Sequence, residues 1–278
     1  MSLYKYATPE RLDVLRHLRI RFTQPTALND PFEFRPLVSA FRPPDLAARD
    51  LAAELERQLP QEIAKYKGIL SPAQAALLPI LANQLKPAMV GQAMEQIDAF
   101  FPTLKKSLFD TLGNSLGILS LSEIPDNPLM WAHYAANHTG FIIEFDDQHP
   151  WFSAKLAETD ELRHLRKVSY VDTAPSSYLT EWKGQDVFCS KLKMWEYEQE
   201  WRIIRPLQEA SERIGSDIYL FAVPPESIRS VIKGIKTASN VGAELSSILK
   251  GDPKLAHVRK SQAQLSASAN LIEIIPAA

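Results

Sequence analysis

Alternation of apolar and polar positions opens the chain. Leu3-Tyr4-Lys5-Tyr6 reads as a short aromatic strand, and Thr8-Pro9-Glu10 then supplies a helix start with proline at the first helical position. Leu12, Leu15 and Leu18 recur at helical spacing and give that helix one apolar face. From Leu18 to Phe22 apolar and basic residues alternate, as in a strand buried on one side. The interval from Pro25 to Pro31, within the turn sequence TALNDPFE, ends the strand.

From about Pro43 to Thr111 the pattern changes to Ala, Leu, Gln and Glu at helical period, punctuated by prolines at 60, 72, 79, 87 and 102. Ser71-Pro72-Ala73-Gln74 has the form of a capping box opening one helix. The block carries few of the polar residues that chemistry needs and reads as an inserted bundle or lid. From Leu116 onward strands return in LGILSLS, GFIIEFD, RKVSYVD, EWRIIRP, DIYLFAV, RSVIKG and LIEII, with helical segments at 128–137, 183–197 and 239–249. That succession is too irregular for a doubly wound parallel sheet. It predicts an α+β fold with a mixed or antiparallel sheet core, one domain over 1–278 with a helical insertion at 43–111.

Composition changes this picture little. Hydrophobic residues make up 45% of the 278 and charged residues 23%, which is ordinary for a globular chain. The single cysteine, Cys189, excludes an internal disulfide framework and multi-cysteine zinc sites, and with MSLYKYATPE lacking a signal-peptide pattern it predicts a cytoplasmic protein. The apolar stretch AALLPILANQL at 75–85 is too short and interrupted to span a membrane, so no membrane partner is expected. With 31 Lys and Arg against 33 Asp and Glu, there is no global basic footprint for nucleic acid.

Three stretches could carry chemistry. In KLKMWEYEQEWRIIR, Glu198, Glu200 and Arg202 lie two apart at the start of a strand and so share one face. Two neighbouring carboxylates repel, which raises one pKa unless a cation offsets it. Spacing alone leaves two readings, a functional pair or a structural ion pair with Trp195 and Trp201 in the core. In GILSLSEIPDNPLMWAHYAANHTG, Ser120 and Ser122 face the side opposite Leu119 and Leu121. Asp126-Asn127-Pro128 then caps a short helix bearing Trp131, His133, Tyr134 and His138. His133 and His138 are five apart, off the spacing of a helical zinc pair, and Trp131 and Tyr134 read either as core or as ring-stacking residues. In LNDPFE, Asn and Asp side chains can bond their own backbone. With Tyr4, Lys5 and Tyr6, this turn is either a strand terminator or the rim of an anion or nucleotide pocket. Glycine-rich phosphate loops and a GxSxG elbow are missing from the sequence. Cys189, followed by Lys191 and Lys193, reads as a packed residue rather than a reactive thiol.

The ordered run of YKY, LNDPFE, SLSEIPDNPLMWAHYA with HTGFIIEFD, and KMWEYEQEWR resembles the bacterial family catalogued as domain of unknown function 2971. The layout also resembles, remotely, the ADP-ribosyltransferase fold in its DNA-modifying toxin branch, and FAVPPESIRSVIKG resembles the strand, Pro-Pro turn and strand that follow the catalytic Glu there. The first-strand residue is Lys5 where that branch has His or Arg, and the helical block separates the first two motifs. The resemblance implies an NAD-dependent transferase or NAD hydrolase, with a toxin or phage-defence role and no metal. Glu200 would stabilise an oxocarbenium-like ribosyl centre and Glu198 would orient or deprotonate the acceptor, be it nucleic acid, protein, small molecule or water. Lys5 would hold donor phosphate or ribose beside Tyr6 and Arg202, Ser120 or Ser122 would order the nicotinamide ribose, and Tyr134 or Trp131 would stack on the ring. The alternatives are a non-enzymatic ligand- or partner-binding module, and a metal-dependent nuclease using Asp30, Glu198 and Glu200.

Overall fold

A computed structural model describes residues 1–34, 37–66, 68–173 and 176–277. Its strands are β1 (Ser2–Ala7), β2 (Arg19–Phe22), β3 (Leu37–Val38), β4 (Leu116–Ser122), β5 (Phe141–Asp146), β6 (Arg166–Lys167), β7 (Ser169–Val171) and β8 (Ser176–Ser177), followed by β9 (Ser190–Leu192), β10 (Glu200–Pro206), β11 (Glu212–Ile214), β12 (Ile218–Ala222), β13 (Ile228–Lys233), β14 (Arg259–Leu265) and β15 (Ile272–Pro276). The helices are α1 (Asp13–His17), α2 (Pro44–Ala64), α3 (Pro72–Ser115), α4 (Pro128–Tyr134), α5 (Gly184–Phe188) and α6 (Ser239–Gly251). The fold is α+β with a mixed sheet. Contacts divide it into two compact units, Met1–Pro36 with Leu112–Pro175 and Lys183–Ala278, and Leu37–Thr111 with Ser176–Trp182.

The first unit is built on an eight-stranded sheet in the order β15-β14-β13-β5-β1-β4-β10-β6. Among the described residues its one parallel pair is β13 with β14. Strand β5 shows why FIIEFD is almost continuously apolar. Phe141, Ile143 and Phe145 join a core with Leu3, Leu119, Leu121, Ile203 and Leu245, while Ile142 joins a second core with Tyr6, Trp131 and Ile232. At β5 both faces of the sheet are covered, so both sets of its alternating side chains are apolar. Each such side chain, fully buried, contributes about 1.5–3 kcal/mol.

One irregularity interrupts this sheet. Strand β1 pairs with β5 over all six residues, yet it meets β4 at the single position Tyr4↔Ser122. The two strands then part, leaving a split in the middle of the sheet. Beyond it, β4 pairs with β10 over seven residues, placing Glu200 beside Ser122 and Arg202 beside Ser120.

The expected strands form, except that RKVSYVD divides into β6 and β7, which belong to different sheets; two expected helices are corrected, and one strand is additional. The segment 183–197 is not one helix but α5, β9 and a 3-10 turn at Lys193–Glu198, because Ser190 to Leu192 pair in parallel with Ser169 to Val171. The helix expected over 128–137 ends at Tyr134, after which Ala136, Asn137 and His138 all take left-handed backbone conformations. The polar segment RKSQAQL forms β14, held between β13 and β15 with only Ala263 fully buried, so hydrophobic patterning gave no sign of it. In the second unit, Gln74 and Ser71 exchange the reciprocal hydrogen bonds of a capping box at the start of α3. Prolines 60, 79, 87 and 102 lie inside α2 and α3; each removes one backbone donor without ending the helix, amid strong helix formers. Among the described residues no helix is long and apolar enough to cross a membrane.

Candidate functional site

A cavity of about 80 Å³ opens where β1 and β4 part. Tyr4, Lys5 and Tyr6 of β1, Ser120 and Ser122 of β4, Met130 and Tyr134 of α4, Asn29 and Glu33 of the LNDPFE turn, Lys191, Glu198, Glu200 and Arg202 line it. The turn is self-supporting, as its composition implied: the Phe32 amide donates to the Asp30 carboxylate at 2.9 Å and the Glu33 amide to the Asp30 carbonyl at 3.2 Å. Those bonds aim Glu33 inward, leaving its side chain 1% exposed.

Glu198 and Glu200 meet by a different device from strand alternation. Glu198 ends a 3-10 turn, Gln199 is left-handed with φ of 44°, and Glu200 begins β10. The Ser122 hydroxyl donates to the Glu198 carbonyl at 2.6 Å and accepts from the Ile124 amide at 3.1 Å, while the Glu200 amide donates to the Tyr170 hydroxyl at 2.8 Å. These bonds fix the backbone on both sides of Gln199. The two carboxylates are thereby brought onto one pair of cations.

Those cations are Lys191 and Arg202. Lys191 Nζ lies 2.5 Å from Glu198 Oε2, 3.0 Å from Glu33 Oε1 and 3.4 Å from Glu200 Oε2. Arg202 donates Nε to Glu200 Oε1 at 2.7 Å and Nη2 to Glu200 Oε2 at 2.8 Å, while Nη2 also reaches Glu33 and Nη1 the Phe188 carbonyl at 2.7 Å. Three buried carboxylates thus share two buried cations, an excess of one negative charge if all are ionised.

The environment separates the two glutamates of the pair. Burial alone would raise Glu200, but the Arg202 guanidinium, Lys191 and the Ser120 hydroxyl overcome it and hold the carboxyl at about 2. Burial raises Glu198, outweighing Lys191 and the Tyr134 hydroxyl that donates to it, with the charge of Glu200 adding to the rise. Tyr134 is itself raised, by burial and then by Glu198, and it accepts from Asn29 Nδ2 at 2.8 Å. Lys191 is raised, since Glu200, Glu33 and Glu198 outweigh burial. Lys5 goes the other way: burial lowers it to about 8 despite Glu200. Its Nζ donates to the Ser120 carbonyl at 2.9 Å, an acceptor facing the split.

The structure brings Glu198, Glu200, Lys5, Tyr6, Ser120, Ser122, Tyr134 and Arg202 to one cavity. It does not bring Trp131, which is fully buried in the second core, edge-on to Tyr6 and with Nε1 donating to the Pro125 carbonyl at 2.8 Å. Trp131 is therefore a packing residue, one of the two roles its spacing allowed. Ser122, 1% exposed, spends its hydroxyl on backbone, and the Tyr6 hydroxyl is likewise taken by the Ile124 carbonyl at 2.7 Å. Asp30 stands in its own turn and outside the cavity lining, and Lys191 and Arg202 already occupy the space between Glu198 and Glu200. Among the described residues no three His, Cys, Asp or Glu side chains form a group suited to a metal. From the sequence Lys191 reads only as a neighbour of Cys189 and Glu33 only as the last residue of the LNDPFE turn, neither with a role of its own at the site. The one available signal was that each is a charged residue within a largely apolar or turn-forming run, KLKMW and DPFEF.

The segment that supplies most of this network is also the one that compares with known proteins. Residues 130–203 match the family model described as Protein of unknown function (DUF2971). The match supports the family resemblance over those residues, from within α4 into β10, and it contains Tyr134, Lys191, Glu198, Glu200 and Arg202. No curated protein and no solved structure matches the chain.

Proposed function

We propose that this chain is an ADP-ribosyltransferase-like enzyme whose substrate is NAD. The observation that carries the reading is the pair Glu198 and Glu200, held in one cavity by opposing environments, one carboxyl strongly acidic and the other raised. Carboxyls driven apart in this way mark acid, base and electrostatic roles. The ionised Glu200 supplies fixed negative charge to a ribosyl centre becoming positive as the bond from C1′ to the nicotinamide nitrogen breaks, the electron pair leaving with nicotinamide. Glu198, its carboxyl raised by burial, takes the proton of the acceptor hydroxyl or water as its oxygen bonds to C1′. Tyr134, at the cavity wall and bonded to Glu198, offers the aromatic surface for the departing ring. Lys5, at the split between the strands, faces the donor.

A second reading, a ligand-binding module without catalysis, is favoured by one observation. Both oxygens of Glu200 are already engaged, Oε1 by Arg202 and Oε2 by Arg202 and Lys191. The two readings separate by nicotinamide release and NAD-induced thermal shift, measured on the parent, Glu198→Gln and Glu200→Gln. Transferase or hydrolase activity predicts release that falls at least about a hundredfold in both variants, as loss of a charge-stabilising group does. No release, with or without an NAD-induced shift, would move the weight to the binding module.

A further inference from the structure

A second cavity, of about 220 Å³, lies across β1 from the carboxylates and shares Lys5, Tyr6 and Tyr134 with the first. Alternation along β1 explains the pairing: Leu3 and Ala7 belong to one core and Tyr6 to the other, so Lys5 originates on the opposite face from Tyr6 and reaches the split with its ammonium. The remaining walls combine apolar side chains, Val14, Ile20 and Ile143, with two more cations, Arg11 and Arg21. Among the described residues no carboxylate lines it.

The two arginines are poorly satisfied. Arg21 Nε is buried with no hydrogen-bond partner among the described residues, and Nη2 makes only a 3.4 Å contact to the Asp217 carbonyl. Arg11 is held by Asp13 through Nε alone, at 3.1 Å, which leaves its two terminal nitrogens open among the described residues. A buried guanidinium donor without an acceptor costs free energy that an anion would recover, and guanidinium forks suit phosphate oxygens. Lys5 adds a third positive charge at the shared wall; Arg11 and Arg21 are among the groups that push its proton off, so an anion here would relieve all three.

We propose that this cavity is an anion subsite that takes the phosphate or pyrophosphate group of a small phosphorylated ligand, held by Arg21 and Arg11 with Lys5 at its inner wall. The proposal does not depend on the NAD reading, since the cations and the unpaired donor are present whatever chemistry the carboxylates perform.

Calorimetric titration with pyrophosphate, and with ADP against adenosine, tests it on the parent, Arg21→Gln and Arg11→Gln. Binding of pyrophosphate and ADP but not adenosine is expected, weakening as salt is raised and falling about tenfold or more in each variant. No binding to the parent, equal affinity for ADP and adenosine, or unchanged affinity in the variants would overturn it. If Arg21→Gln unfolds, Arg11→Gln, whose arginine is tied only to a nearby exposed aspartate, decides alone. Nicotinamide release is scored separately, so a protein that binds pyrophosphate through both arginines yet releases nothing keeps the subsite and loses the transferase.

Discussion

Arg202→Met is the sharpest test of how the cavity is held together. The guanidinium is 2% exposed and serves Glu200 twice, Glu33 once and the Phe188 carbonyl once. Removing it leaves three buried carboxylates with Lys191 as their one cation. Breaking a buried ion pair by deleting one partner costs about 3–5 kcal/mol, because the stranded charge cannot be rehydrated. Total stability is on the order of 5–15 kcal/mol, so the variant should unfold at far lower urea. The loss also has a pH signature. Without Arg202, burial raises Glu200 above its unfolded value, so the folded variant binds the proton more tightly and recovers stability as the pH falls from about 7 to about 5. Urea unfolding followed by tryptophan fluorescence at both pH values measures this. Arg202→Met with Glu200→Met should regain much of the loss, since an apolar replacement of a whole buried pair is often neutral or better. A deficit below about 1 kcal/mol, or one independent of pH, would refute the account of a network held by charge.

Further outcomes follow from the same geometry. With Glu200 held at about 2 in the folded chain and near 4.5 when unfolded, the group contributes roughly 3 kcal/mol above about pH 4.5, and this is lost as the pH falls from there towards 2; acid unfolding monitored by circular dichroism should lose that limb in Glu200→Gln. Glu198 has the opposite sign, its raised carboxyl penalising the fold as the pH climbs through its folded value, so Glu198→Gln should be at least as stable as the parent near neutrality in thermal melts. Gly140→Ala would place a Cβ 2.1 Å from the Ala7 carbonyl oxygen at the end of β1, and should cost about 1–3 kcal/mol or more by urea unfolding. Gln199→Gly, which suits the left-handed backbone there, should leave stability within about 1 kcal/mol of the parent, whereas Gln199→Val should lower it and blunt any activity that needs Glu198 and Glu200 side by side.

The residues themselves explain what could be read without coordinates. The α+β class and most strands followed from patterning because β5 and β13 bury residues in both cores while β4 and β10 turn Leu119, Leu121 and Ile203 into one of them, leaving apolar or alternating runs in the sequence. Strand β14 escaped notice because pairing with β13, rather than apolar burial, makes it a strand. The closeness of Glu198 and Glu200 was anticipated, but for a different physical reason: a left-handed Gln199, invisible to spacing rules, turns them together. Lys191 and Glu33 are 7 residues and 165 residues from Glu198, so nothing local signals that they converge on it. Trp131 shows the converse, an aromatic beside the motif that packs inward because its indole finds the Pro125 carbonyl.

The central claim is that the carboxylate cavity performs chemistry on NAD. Nicotinamide release from NAD by the purified chain, run beside Glu198→Gln with a mixed nucleic-acid and protein extract as acceptor, tests it most directly, because that variant keeps the fold while removing the raised carboxyl. The account predicts release by the parent that drops about a hundredfold or more in the variant. Release that persists at the parental rate in Glu198→Gln, or no release and no NAD-induced thermal shift in the parent, would contradict it.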